Sequence, residues 1–142
     1  MSDTTTKTIH LALQGGGAHG AFTWGVLDAL LQDGRLDFAG ISGTSAGAVN
    51  AVALAHGWAQ AVADKQDPYE GARASLARVW NQVMELGAAS ESTARLTKLM
   101  MGALPGALTR FSPYQTNPLN INPLRQLIER EIDFERLQKL KS

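Results

Sequence analysis

Residues 38–57 constrain the chain most: an apolar segment with Phe38, Ala39 and Ile41, then Gly43-Thr44-Ser45-Ala46-Gly47, then small residues over 48–56. A buried strand that breaks sharply into a helix needs glycine on both sides of the turning residue. A side chain two positions before or after it would strike the neighbouring strand or helix. The pattern therefore predicts a strand-turn-helix hinge with Ser45 at its apex and Gly43 and Gly47 as its flanking glycines. Such a hinge lifts the hydroxyl clear of the turn and aims the free N–H groups and partial positive charge of the helix start at whatever the serine attacks. Gly-x-Ser-x-Gly also arises by composition alone; its place between a strand-like and a helix-like segment is what makes Ser45 a candidate nucleophile.

A second turn of the same kind precedes it. Ile9, Leu11 and Leu13 alternate with His10, Ala12 and Gln14, as in a strand, and run into Gly15-Gly16-Gly17-Ala18-His19-Gly20. Phe22, Val26 and Leu30 then recur at helical spacing, with Trp24, Leu27 and Leu31 alongside, until Asp33-Gly34 supplies a left-handed cap. The amides of Gly15, Gly16 and Gly17, together with that of Ala46, can hold an anion or a developing oxyanion at a helix start. A plain tight turn would use the same glycines. Gly15, Gly17 and Gly20 also meet the G-x-G-x-x-G dinucleotide pattern, with Asp37 about twenty residues on. A ribose-binding acid belongs at the C-terminal end of the second strand, however, where this chain has Ser42-Gly43. A non-catalytic α/β module that binds an anion or nucleotide through 15–20 is the alternative to an enzyme.

The helix after Ser45 is expected to end near Gly57. Asp67-Pro68-Tyr69-Glu70 offers a cap, a proline at the first helical position and a capping-box glutamate. Ala72, Leu76, Val79, Trp80, Val83 and Met84 form one apolar face up to Gly87. Over 88–122 the character changes, with Leu96, Leu99, Met100 and Met101 on an expected short helix and then Gly102, Pro105, Gly106, Pro113 and Pro118; this is expected to be a cap or lid over the Ser45 site, with an irregular surface connection as the alternative. A helix follows from Pro123 to Glu131, and Asp133 is placed to cap a last one.

Only two strands are legible, both of the buried parallel kind, and two parallel strands do not make a stable sheet alone. The expected fold class is α/β, with these 142 residues as the N-terminal part of one domain. The remaining C-terminal part would bring further strands, either in the same chain or as a separate polypeptide.

With 44% hydrophobic residues the chain can build a core, and 13 basic against 13 acidic residues leave no field to attract nucleic acid. There is no cysteine, and the polar residues 1–7 contain no apolar signal core, so the cytoplasm is the expected compartment. No run is long enough to span a bilayer; any membrane contact is expected at the surface. No cluster has metal-ligand spacing, and neither metal nor cofactor is expected.

The two glycine turns, with Trp24-Gly25-Val26-Leu27 in the helix between them, resemble the patatin-like phospholipases, densely over 11–51 and loosely beyond. The resemblance implies a three-layer α/β/α sandwich with a mainly parallel sheet, and a serine acyl hydrolase acting on phospholipids or other carboxylic esters. It makes Gly15, Gly16 and Gly17 the oxyanion loop and Ser45 the nucleophile of a Ser–Asp dyad, whose aspartate stands in an Asp-Gly-Gly or Asp-Gly-Ala motif. No such motif follows Ser45; the sole Asp-Gly, Asp33-Gly34, precedes it, so the dyad aspartate is expected outside these residues. The family usually has Arg or Lys where this chain has His19, which keeps a donor but makes its charge depend on pH. His19 is also the rival candidate for the base of Ser45. His10 and His56 are expected to be structural, and of Asp64, Asp67 and Asp133 the last two have capping roles.

Overall fold

The computed structural model describes residues 6–100 and 123–139, with side chains over 6–89 and 123–139. Leu96, Leu99, Met100 and Met101, the apolar residues of the expected lid, lie outside the described side chains. The alternating segment 7–13 forms strand β1 (Lys7–Leu13), a single 3-10 turn occupies Gly17–His19, and helix α1 (Gly20–Asp33) leads to β2 (Leu36–Gly43). Helices α2 (Ala46–Ala63), α3 (Pro68–Met100), α4 (Pro123–Glu131) and α5 (Phe134–Lys139) follow. The strands pair in parallel from Lys7 opposite Leu36 to Leu13 opposite Gly43. Ile9 faces Phe38 and His10 faces Gly40, so Ala39 is the extra residue of a bulge.

One face of this sheet is covered. Leu11, Leu13, Phe38 and Ile41 pack against Leu27 and Leu31 of α1, Ala53 and Leu54 of α2, Leu76 and Val79 of α3, and Leu127 and Ile132. Complete burial of a leucine in such a cluster contributes about 1.5–3 kcal/mol. The opposite face, with Thr8, His10, Ala12, Asp37, Ala39 and Ser42, is exposed among the described residues. His10 lies across it with Nδ1 2.9 Å from where a Cβ on Gly40 would sit.

Polar contacts set the angles between the layers. The Tyr69 hydroxyl donates to the Leu36 carbonyl at 3.0 Å and Arg73 Nε donates to Asp28 Oδ1 at 2.8 Å, fixing α3 against β2 and α1. Trp58 meets Phe38 and Tyr69 edge to face at centroid distances of 5.8 and 4.8 Å. The expected caps form. Gly34 takes φ 68° and donates to the Leu30 carbonyl, Asp67 Oδ1 accepts from the Tyr69 amide, and Asp133 Oδ1 accepts from the Arg136 amide.

Four local expectations are corrected. Helix α2 does not stop at Gly57: it crosses α3 there, where a Cβ would overlap the Gly71 carbonyl and a Cβ on Gly71 would overlap Ala61. Paired glycines let the two backbones touch, and α2 ends only at Ala63, with Lys65 just beyond it at φ 55°. Helix α3 runs through Gly87, because the single-residue cost of about 1 kcal/mol is carried by the helix formers on both sides. Glu70 does not close a capping box; its carboxylate takes Arg73 Nη1 at 2.8 Å. On α1 the buried apolar side chains are those of Leu27 and Leu31, whereas Phe22 is 77% and Val26 44% exposed.

His56 is structural, as expected, but at a cost. Its ring is buried and Nδ1 has no partner among the described residues. Burial and then the Arg78 guanidinium push its pKa down, helped by Arg136 and opposed by Asp133 and Glu131. As pH falls through the ordinary imidazole value of about 6.5, the unfolded chain takes up a proton that the folded ring resists. The folded state is therefore expected to lose stability as pH falls below about 6.5. His56→Phe should flatten that part of a thermal-midpoint profile; an unchanged slope would contradict the assignment. Glu131, held below the usual carboxylate range first by its bond from Gln82, loses its contribution only at pH below about 4.3.

Candidate active site

The parallel pairing that sets Leu13 opposite Gly43 makes both glycine turns leave the same edge of the sheet, side by side. The Thr44 amide donates to the Leu13 carbonyl at 3.2 Å, and the Gly15 amide donates to Thr44 Oγ1 at 3.2 Å. Loop and hinge are thus stitched together before any ligand arrives.

Ser45 sits in the hinge with φ 51° and ψ −123°, a conformation that costs a non-glycine residue about 1–3 kcal/mol. Its carbonyl already accepts the first helical bonds, from Ala48 at 2.9 Å and Val49 at 3.2 Å. The glycines on each side are there for space. A Cβ on Gly43 would overlap the Gly47 peptide, and one on Gly47 would overlap the Leu13 carbonyl. Gly15 is equally confined, its Cβ position lying 2.9 Å from Ser45 Cβ and 2.8 Å from the Thr44 carbonyl oxygen.

The Gly15 amide is spent on Thr44, so the amides of Gly16, Gly17 and Ala46 are those without a hydrogen-bond acceptor among the described residues. Gly17 has φ 58° and faces open space on the cavity side. His19 is engaged within its own loop: Nδ1 lies 3.0 Å from the Gly16 carbonyl, which also accepts the His19 amide at 3.1 Å. Ser45 Oγ makes no hydrogen bond to any described residue, so the Ser45–His19 pair is not formed. Asp37 stands at the start of β2, at the far end from the glycine loop, with Oδ1 accepting from the Phe38 amide. No ribose-binding acid is therefore placed beside the loop among the described residues.

A cavity of 560 Å³ opens from Ser45, within the range that holds small organic ligands. Ala21, Val49, Trp80, Val83, Met84 and Leu124 supply its apolar walls, and no described ionisable side chain lines it. Trp80 stacks on Trp24 with rings 4° from parallel.

Motif and spacing do not single out Asn50. It is fully buried, donates Nδ2 to the Gly20 carbonyl at 3.0 Å and accepts Trp80 Nε1 on Oδ1 at 2.7 Å. The clue was an amide alone within a run of small apolar residues on a helix destined for burial.

A family model for patatin-like phospholipase matches residues 11–141. The chain belongs to the patatin-like phospholipase family. No curated protein and no solved structure matches it. The patatin-like match extends past both turns and over the helices that wall the cavity, into α4 and α5. Lipid acyl hydrolysis is the activity of this family, and the α/β class is that of its fold. Among the described residues no helix is long and apolar enough to cross a membrane.

Proposed function

We propose that the protein hydrolyses lipid or other carboxylic esters with Ser45 as nucleophile. Ser45 Oγ bonds to the ester carbonyl carbon, and the displaced electron pair moves onto the carbonyl oxygen, which the amides of Gly16, Gly17 and Ala46 receive. The serine proton passes to an aspartate and from there to the leaving alcohol. Water then cleaves the acyl-serine by the same route reversed. The aspartate belongs to an Asp-Gly-Gly or Asp-Gly-Ala turn in the C-terminal part of the same protein, outside these 142 residues. The observation that carries the reading is the strained Ser45 backbone, held beside a glycine loop with unpaired amides.

The cavity supports an acyl substrate. A phosphate or nucleotide needs donors along its length, and this one is apolar beyond its mouth. Ester groups reach it from a lipid surface; Phe22 and Val26, exposed on the helix that begins beside the cavity, offer apolar contact there. A fluorophosphonate probe tests the chemistry. The full-length protein is expected to label at Ser45 and Ser45→Ala to remain unlabelled, whereas an anion-binding module would label in neither form.

A further inference from the structure

We propose that Asn50 is a positioning residue that holds the glycine loop in register with Ser45; this rests on the hydrolase reading above. The loop is the least constrained part of the site, since Gly16 and Gly17 contribute no side chains to anchor it. The hinge, in contrast, is rigid, because Ser45 caps the helix that carries Asn50 and its carbonyl already accepts that helix's first bonds. A rigid nucleophile is of use only if the amides that receive the oxyanion keep a fixed distance from it.

Asn50 supplies the link. Its carboxamide bridges the Gly20 carbonyl, where the loop becomes α1, and Trp80 Nε1, in the wall of the cavity. Gly20 itself is wedged: a Cβ there would lie 2.7 Å from Ala46 Cβ and 2.8 Å from Trp80 Cη2. Packing thus fixes where Gly20 is, and the bond to its carbonyl fixes how its peptide is turned. The Gly20 amide, in the preceding peptide, donates to the Ala18 and Gly17 carbonyls, which ties the same residue back to the one that faces the cavity. Trp80 locks the other end, because a carboxamide whose oxygen is held by the indole N–H can present only its NH₂ to Gly20.

Packing alone does not call for an amide here. The neighbouring buried residues of α2, Ala53 and Leu54, are apolar, and a buried amide is tolerated only where both of its ends are satisfied.

The test separates the two bonds in the full-length protein. Asn50→Asp keeps an acceptor for Trp80 but presents oxygen to the Gly20 carbonyl; Trp80→Phe keeps an aromatic wall and frees the carboxamide to turn. Asn50→Asp is expected to lower kcat on a p-nitrophenyl ester about 10²-fold with KM within about twofold. Trp80→Phe should lower kcat about tenfold, whatever happens to KM. Ser75→Ala, a change at a buried hydroxyl at the α2–α3 crossing, controls for core disturbance and should leave kcat within about twofold. If Asn50→Asp does not fold, Trp80→Phe decides alone. Variants that melt cooperatively and keep the wild-type kcat, or lose only KM, overturn the inference while leaving the hydrolase reading intact. Wild-type protein without Ser45-dependent turnover overturns both.

Discussion

Gly47→Ala is expected to cost the full-length protein at least about 10²-fold in ester turnover while leaving Ser45 chemically untouched. The added methyl would overlap the Leu13 carbonyl, and that carbonyl has no freedom to retreat: it accepts the Thr44 amide and ends a strand whose register is fixed by β2. The helix must move instead, and Ser45 moves with it. Overpacking by one methyl against backbone costs about 1–3 kcal/mol, so a cooperative but lowered melting transition is expected together with the kinetic loss. Gly25→Ala is the matched control. A Cβ there meets nothing within 4 Å, and α1 should gain about 0.5–1 kcal/mol with no change in turnover. Wild-type activity in folded Gly47→Ala would mean that the hinge does not depend on the space that glycine provides.

The contrast between glycines also shows what the sequence could and could not say. Gly43 and Gly34 were legible because each serves its own neighbourhood, a turn of a few residues or the end of one helix; Gly47 was legible from the turn pattern, although the backbone it clears, at Leu13, belongs to the other strand. Gly57 looked like another helix end and is a crossing point, since its reason is Gly71, which belongs to a different helix. The same distinction separates Asp67 and Asp133, whose caps reach two or three residues, from Asn50, whose partners lie 30 residues away on either side. Phe22 and Val26 had the spacing of a buried stripe, but helical period alone does not say which of two adjacent stripes meets α3. The residue types at the site were readable; the bonds that hold them to one another were tertiary and were not.

The largest effect is expected from removing everything but these 142 residues. The site has a strained serine and unpaired amides but no described base within reach of Ser45 Oγ, and a serine hydroxyl is barely nucleophilic until its proton is taken. Loss of the base alone should lower turnover about 10⁴-fold, leaving what the loop and the cavity supply by themselves. Stability should fail as well. Parallel strands carry their apolar burial on both faces, and here Ala12, Ala39 and their neighbours stand bare on one side while neither strand has a second partner among the described residues. An isolated 1–142 protein is therefore expected to melt without a cooperative transition and to show no Ser45-dependent hydrolysis of p-nitrophenyl esters. Adding the C-terminal part as a second polypeptide should restore both, because strands pairing beside β2 would carry the aspartate turn to the same sheet edge as the hinge. A stable isolated protein with full Ser45-dependent activity would refute this, and would require His19 to leave the Gly16 carbonyl and serve as the base.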